Sequence, residues 1–256
     1  MKLAICTPTV RRPHDAYLAS LEAAVPALDA AGIEHATVNE VGNPYISAAR
    51  AVMIRKALDW GADTVVCIDH DVSFRPDDLV KLVTTEGDVV AGTYRYKCDE
   101  VQYMGALIED AHGRPQVRKS DGAVLAYAVP AGFLKITLAG IRKIMRAHPE
   151  LLMGRPEAPA VDLFHHGAHE WVWYGEDMAF SRRWRALGDI WLVPDLDLDH
   201  WSFDGTVFRG NYHRYLLELA PPVLTCRECG KPQPTPGNTI LGHWVCDECY
   251  YPRRAA

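Results

Sequence analysis

Apolar and polar positions fall into blocks along this chain, and the period within the blocks switches between strand-like and helix-like. Lys2 to Thr7 is a short apolar run closed by Thr7-Pro8-Thr9, which predicts a buried strand. Leu18, Leu21, Val25 and Leu28 then recur at helical spacing between Asp15, a candidate cap, and Gly32, a stop. Pro26 inside that pattern predicts a kink or an early end. A second strand is expected from Glu34 to Val41. After the Gly42-Asn43-Pro44 turn, Ser47 is the candidate cap of a helix with Ala49, Val52, Met53, Lys56, Ala57 and Trp60 along one face. Gly61 ends it. Val65 to Ile68 is a third buried strand, Pro76 opens a third helix, and a fourth strand lies around Asp88 to Thr93. This alternation predicts an α/β fold with a Rossmann-like, mostly parallel central sheet and helices on both faces.

The second half is less regular. Val101 to Ile108 and Ala123 to Val129 have strand character and are joined by a turn region from Asp110 to Asp121. Ala131 to Ile136 is another expected strand, leading into an amphipathic helix with Leu138, Ile141, Ile144 and Met145. From about Pro149 to Ala168 the chain is rich in Pro, Gly and His and has no period, which predicts a loop that closes over a ligand. Glu176 or Asp177 opens a helix that runs to Leu187, and Ile190 to Val193 is the last expected strand, ahead of an acidic stretch from Asp195 to His200.

Composition narrows the class. With 256 residues, 48% of them hydrophobic and 23% charged, the chain suits one large globular domain with a small appendage. A net charge of -6 supplies no overall electrostatic footprint for nucleic acid. The first apolar run is too short for a signal peptide, and no stretch approaches the ~20 apolar residues of a membrane span, so a cytoplasmic protein is expected. Of seven cysteines, Cys6, Cys67 and Cys98 are scattered and four cluster near the end, unlike a secreted disulfide framework.

Three places carry candidate chemistry. Asp69-His70-Asp71 ends a buried strand with two carboxylates one residue apart, at the sheet edge where open α/β folds bind ligands. Such a pair repels unless a cation or water screens it, and Mg²⁺ or Mn²⁺ carrying a diphosphate suits it. Glu176 and Asp177, flanked by Trp171, Trp173 and Tyr174, open a helix; a carboxylate desolvated by those rings serves as a general base for an acceptor hydroxyl. His200 follows the last expected strand, and a neutral imidazole returning to the acidic pair makes a three-ligand site with Asp69 and Asp71.

The order Thr7-Pro8-Thr9, Asp69-His70-Asp71, Gly132-Phe133-Leu134, Gly175-Glu176-Asp177 and His200 resembles the GT-A glycosyltransferases, in particular family-2-like and bacteriophage-type enzymes, over about residues 1 to 215. The resemblance implies a GT-A fold and a nucleotide-sugar donor held through Mn²⁺ or Mg²⁺ by Asp69 and Asp71, with His200 as a further ligand. It implies Asp177 as base beside Glu176, and Thr7, Pro8, Thr9, Arg50 and Gly132 near the nucleotide. The acceptor it implies is a glycan or, for a phage-type enzyme in an infected bacterial cell, a hydroxymethylated pyrimidine in DNA. Two other classes compete. A nucleotidyltransferase also uses paired carboxylates, although the first loop here lacks the glycines that cradle a triphosphate. A binding module without catalysis is the third class, and retention of both acidic motifs argues against it.

After Pro221-Pro222 the composition changes, and Cys226-x2-Cys229-x16-Cys246-x2-Cys249 appears. Four thiolates in two such pairs suit a closed, structural Zn²⁺ site of zinc-ribbon type, and the metal replaces the core that so short a segment lacks. The expected division is therefore 1–220 for the α/β domain and 221–256 for the zinc module.

Overall fold

A computed structural model describes residues 1–111, 113–219, 229, 237–240 and 243–246. The chain divides into two compact units, Met1–Arg214 and Tyr215–Ala256, so the expected boundary after 220 falls inside the second. The first unit opens with β1 (Lys2–Thr9), α1 (Asp15–Ala30), β2 (Glu34–Val41), α2 (Ile46–Trp60), β3 (Thr64–Ile68), β4 (Val72–Ser73), α3 (Pro76–Thr84) and β5 (Val89–Ala91). It continues with β6 (Ala106–Leu107), β7 (Val124–Ala128), β8 (Phe133–Thr137), α4 (Leu138–Ala147), β9 (Leu152–Arg155), β10 (Ala158–Val161), β11 (Gly167–His169) and β12 (Val172–Tyr174). Then come α5 (Glu176–Trp184), β13 (Trp191–Leu192), β14 (Asp197–Trp201) and β15 (Val207–Asn211); α6 (Tyr212–Leu219) follows, and β16 (Gly237–Ile240) and β17 (His243–Cys246) lie in the second unit.

The central sheet has eight strands in the order β2-β1-β3-β8-β5-β13-β7-β6. Every one except β8 and β7 runs in the same direction. Side chains alternate between the two faces of a strand, and β1 is apolar on both. Leu3 and Ile5 pack with Tyr17 and Leu28 of α1 and with Leu79 and Leu82 of α3. Ala4 and Cys6 belong to a second cluster with Met53 and Ile54 of α2, Ile141 of α4 and Phe180 of α5. A sheet buried on both faces needs helices on both, as the continuous apolar runs of β1 and β3 predicted.

Several local expectations change. His14, not Asp15, caps α1, its Nδ1 accepting from the Ala16 amide at 3.2 Å. The helix continues through Pro26 to Ala30; Pro26 is exposed, so water can reach the carbonyl that the proline leaves unpaired. Tyr45 rather than Ser47 precedes α2, and Ser47 is buried inside the helix. The region from Pro149 to Ala168 contains the β9–β10 hairpin instead of a continuous loop. The largest difference is the acidic stretch, which is itself a strand, β14, paired antiparallel with β15 and β4. Its alternation explains this: Leu196 and Leu198 are buried and pack so closely on Gly92 that no side chain fits there. The register sets His200 opposite Val72, next to Asp71.

Candidate active site

The site is built at the carboxyl ends of β1, β3 and β5. Asp69 leaves β3 on the face of Val65 and Cys67, the face covered by α2, and there it meets Arg50. Arg50 is 1% exposed; its Nη2 donates to Asp69 Oδ1 at 2.8 Å and its Nη1 to Glu176 Oε1 at 2.8 Å. Burial alone works to lower the pKa of that guanidinium, but the flanking carboxylates, Asp69 foremost, outweigh it and hold the charge firmly in place. One buried cation therefore ties the end of β3 to the start of α5. The Tyr94 hydroxyl donates to the other Asp69 oxygen at 3.2 Å. A Cβ at Gly132 would run into both the Tyr94 hydroxyl and the Asp69 carboxylate, so glycine there is a condition of this arrangement. The Gly132 carbonyl accepts from the Asp69 amide at 3.0 Å.

Asp71 lies beyond the turn. One of its oxygens, Oδ2, accepts from the Lys97 ammonium. The other, Oδ1, is 3.8 Å from His200 Nε2. His200 Nδ1 is 2.8 Å from the Arg95 carbonyl, which can only accept, so Nδ1 carries the proton and Nε2 turns a lone pair toward Asp71. Burial lowers the His200 pKa, against the raising effects of the Arg95 carbonyl and Asp71, and keeps the ring neutral near pH 7. The expected repulsion between Asp69 and Asp71 is thus met by the protein's own cations, Arg50 and Lys97. Two electron-pair donors, Asp71 Oδ1 and His200 Nε2, remain facing one another. That pair fits a hard divalent ion completed by substrate oxygens. Among the described residues no three His, Cys, Asp or Glu side chains form a closed metal cage.

A cleft of about 220 Å³ runs beside these groups, lined by Pro8, Thr9, Asn43, Pro44, Asp69, Asp71 and His200 among others. Of the residues expected near a nucleotide, Pro8, Thr9 and Asp69 line it. Thr7 lies behind it, fully buried, with its hydroxyl paired to the Tyr17 phenol. Arg50 acts from beneath, through Asp69.

No protein-family model matches this sequence, and no curated protein matches it. Solved structures give remote likenesses. The chain is similar to the catalytic domain of Drosophila β1,4-galactosyltransferase 7 in complex with xylobiose, with a TM-score of 0.41 and 15% identity, covering 83% of this chain and 73% of that one. It is similar to GalNAc-T7 with UDP, GalNAc and Mn²⁺, with a TM-score of 0.43 and 11% identity, covering 77% of this chain and 43% of that one. For S. aureus TarS 1-349 the TM-score is 0.40 and the identity 13%, covering 75% and 58%. The chemistry available to this chain follows from its own residues.

Glu176 and Asp177 divide the labour that the sequence left between them. Glu176 is held by Arg50, whereas Asp177 accepts from the adjacent Met178 amide at 2.7 Å and is raised above the ordinary carboxylate pKa by burial, with the Glu176 charge adding to it. Arg50, by bonding both Asp69 and Glu176, brings the start of the helix that carries Asp177 to the acidic pair. The expected shielding by tryptophans is corrected: Trp171 is fully exposed and Trp173 is exposed too, because the β11–β12 hairpin carries both indoles outward. The turn of that hairpin, Glu170-Trp171, has φ of 47° and 67°, a left-handed pair usually occupied by Asn-Gly.

Sequence reasoning missed Tyr94, Arg95 and Lys97. The signal available was position: Tyr94-Arg95-Tyr96-Lys97 follows β5 directly, at the same sheet edge as the acidic pair. In the second unit, Cys226 and Cys249 lie outside the described residues; Cys229 is exposed, and Cys246 ends β17, which pairs antiparallel with β16.

Proposed function

We propose that this chain is a glycosyltransferase of GT-A type that moves a sugar from a nucleotide-sugar donor to an acceptor hydroxyl with the help of Mn²⁺ or Mg²⁺. The observation that carries the reading is geometric: Asp71 and His200 face one another as metal-type donors, and Arg50 ties the adjacent Asp69 to Glu176, the chain neighbour of the candidate base. In this reading Pro8, Thr9 and Asn43 receive the nucleotide, and Asp71 and His200 hold the cation, which supplies charge neutralisation for the departing diphosphate. Arg50 fixes Asp69 and Glu176 so that neither moves during transfer. Asp177 takes the proton from the acceptor hydroxyl as it attacks the sugar carbon; burial matches its basicity to that task better than an exposed aspartate would.

For the acceptor we propose a glycan or a hydroxymethylated pyrimidine in DNA. The exposed indoles of Trp171 and Trp173 suit either, since a sugar ring and a base both offer a flat face. The cysteine-rich tail is proposed as a structural Zn²⁺ module, its two cysteine pairs flanking the β16–β17 hairpin. The deciding experiment incubates the full chain and Mn²⁺ with a panel of nucleotide sugars, and with oligosaccharide or hydroxymethylated-DNA acceptors, followed by mass analysis. One sugar added to one acceptor class is the expected result. Nucleotide-sugar synthesis from a nucleoside triphosphate and a sugar phosphate, without transfer, would instead make it a nucleotidyltransferase.

A further inference from the structure

One short segment touches one oxygen of each carboxylate of the acidic pair, and His200 as well. The Tyr94 hydroxyl bonds Asp69 Oδ2, the Arg95 carbonyl orients His200, and the Lys97 ammonium sits on Asp71 Oδ2. The segment is also tied to itself. Arg95 Nη2 donates to the carbonyls of Cys98, Asp99 and Glu100 at 3.4, 3.3 and 3.2 Å, and the Tyr94 carbonyl accepts from the Met104 amide at 3.1 Å. Lys97 is therefore presented from a folded-back loop. Its side chain is 28% exposed, while that of Asp71 is 16% exposed.

We infer that Lys97 is a tethered counter-ion: it neutralises Asp71 while the site is empty, and passes to the diphosphate when cation and donor bind together. This rests on the metal-dependent reading above. Asp71 offers two oxygens, one held by Lys97 and the other facing the His200 lone pair. A divalent ion on Oδ1 and Nε2 would share that carboxylate with an ammonium, and two cations on one carboxylate repel. An arriving diphosphate brings negative charge to which a flexible lysine can transfer, since its ammonium is a mobile point charge on a four-carbon stem. Cation and diphosphate should then bind cooperatively, each improving the site for the other by the same factor.

The test measures binding, not turnover. Mn²⁺ is titrated into the full chain by calorimetry, with and without inorganic pyrophosphate, for wild type, Lys97→Met and Lys97→Arg. Without pyrophosphate, Lys97→Met is expected to bind Mn²⁺ about tenfold more tightly than wild type, within the range of coupling between groups in one salt-bridge network. With pyrophosphate that advantage should disappear, because the variant has lost the charge that answers the anion. Lys97→Arg should follow wild type. In an Asp71→Asn background, replacing Lys97 should change nothing, as a pairwise effect requires. Equal Mn²⁺ affinity for wild type and Lys97→Met overturns the inference and leaves the metal site standing. If neither binds Mn²⁺ under either condition, the metal-dependent reading itself falls, and this inference with it.

Discussion

The two sides of the candidate site are built on opposite principles. Around Asp69 every charge is already answered: Arg50 is interior and bonds two carboxylates from different elements, and both Asp69 oxygens have a partner. The β11–β12 hairpin, just ahead of Glu176 in the chain, carries two exposed tryptophans on a turn whose residues sit in a left-handed conformation that suits neither glutamate nor tryptophan. The first side pays its ordering cost during folding, so a ligand finds it in place. The second leaves aromatic surface and backbone strain available to whatever binds there. In the function proposed above, a chemically uniform donor suits the first design and an acceptor that must be chosen suits the second.

The sharpest way to break this contrast is at Asp177, the group shared by both sides. Asp177→Asn should reduce transfer by about 10²–10⁴-fold, the usual worth of a general base, and leave donor affinity and melting temperature near wild type. Burial places the carboxyl of Asp177 above the ordinary value of 3.8, and the base must be ionised, so activity should fall as pH drops through that raised pKa. The rate-limiting acid limb should be absent from the residual activity of Asp177→Asn. Loss of donor binding with the same substitution would move Asp177 to the donor side.

Arg50→Met comes next. Removing one partner of a buried ion pair leaves the others uncompensated, here Asp69 and Glu176, and costs about 3–5 kcal/mol. Chemical denaturation should show the loss directly, and a variant as stable as wild type would refute the claim that this side is ordered by folding. The smallest effect is expected at the hairpin. Replacing Glu170-Trp171 by Asn-Gly should relieve roughly 1 kcal/mol of left-handed strain per residue. Hydrogen exchange over residues 167–174 should slow, while the acceptor KM rises and the donor KM holds. An unchanged acceptor KM would remove Trp171 from acceptor binding.

Much of this plan is legible in the sequence, for identifiable reasons. β1, β3 and the helices between them declare themselves because each is a long run with one period and a clear stop, and Asp69 and Asp71 follow because they end such a run. β14 was harder. Asp197, Leu198 and Asp199 alternate as a strand does, yet the charge density of the stretch disguises the period, and its buried side is only two leucines wide. Of the cationic half of the site, Arg50 is legible only through the resemblance and without its partners, and Lys97 not at all. Arg50 lies 19 positions from one partner and 126 from the other, and Lys97 lies 26 from Asp71; only closure of the sheet brings them together. A period reports which face a residue occupies, and says nothing about what another element will lay against it.

Arg50 also sets how this protein can change over time. Its side chain presents almost no surface, so no substrate can be recognised by it, yet any substitution there disturbs the strand end and the helix start at once. In a survey of random variants scored only by turnover, it would rank with the residues that do chemistry; in one scored by soluble yield, it would rank with the core. The exposed hairpin can be re-equipped by small steps, each tolerated alone. Arg50 cannot be revised in the same way, because the first step there already leaves two carboxylates without their cation.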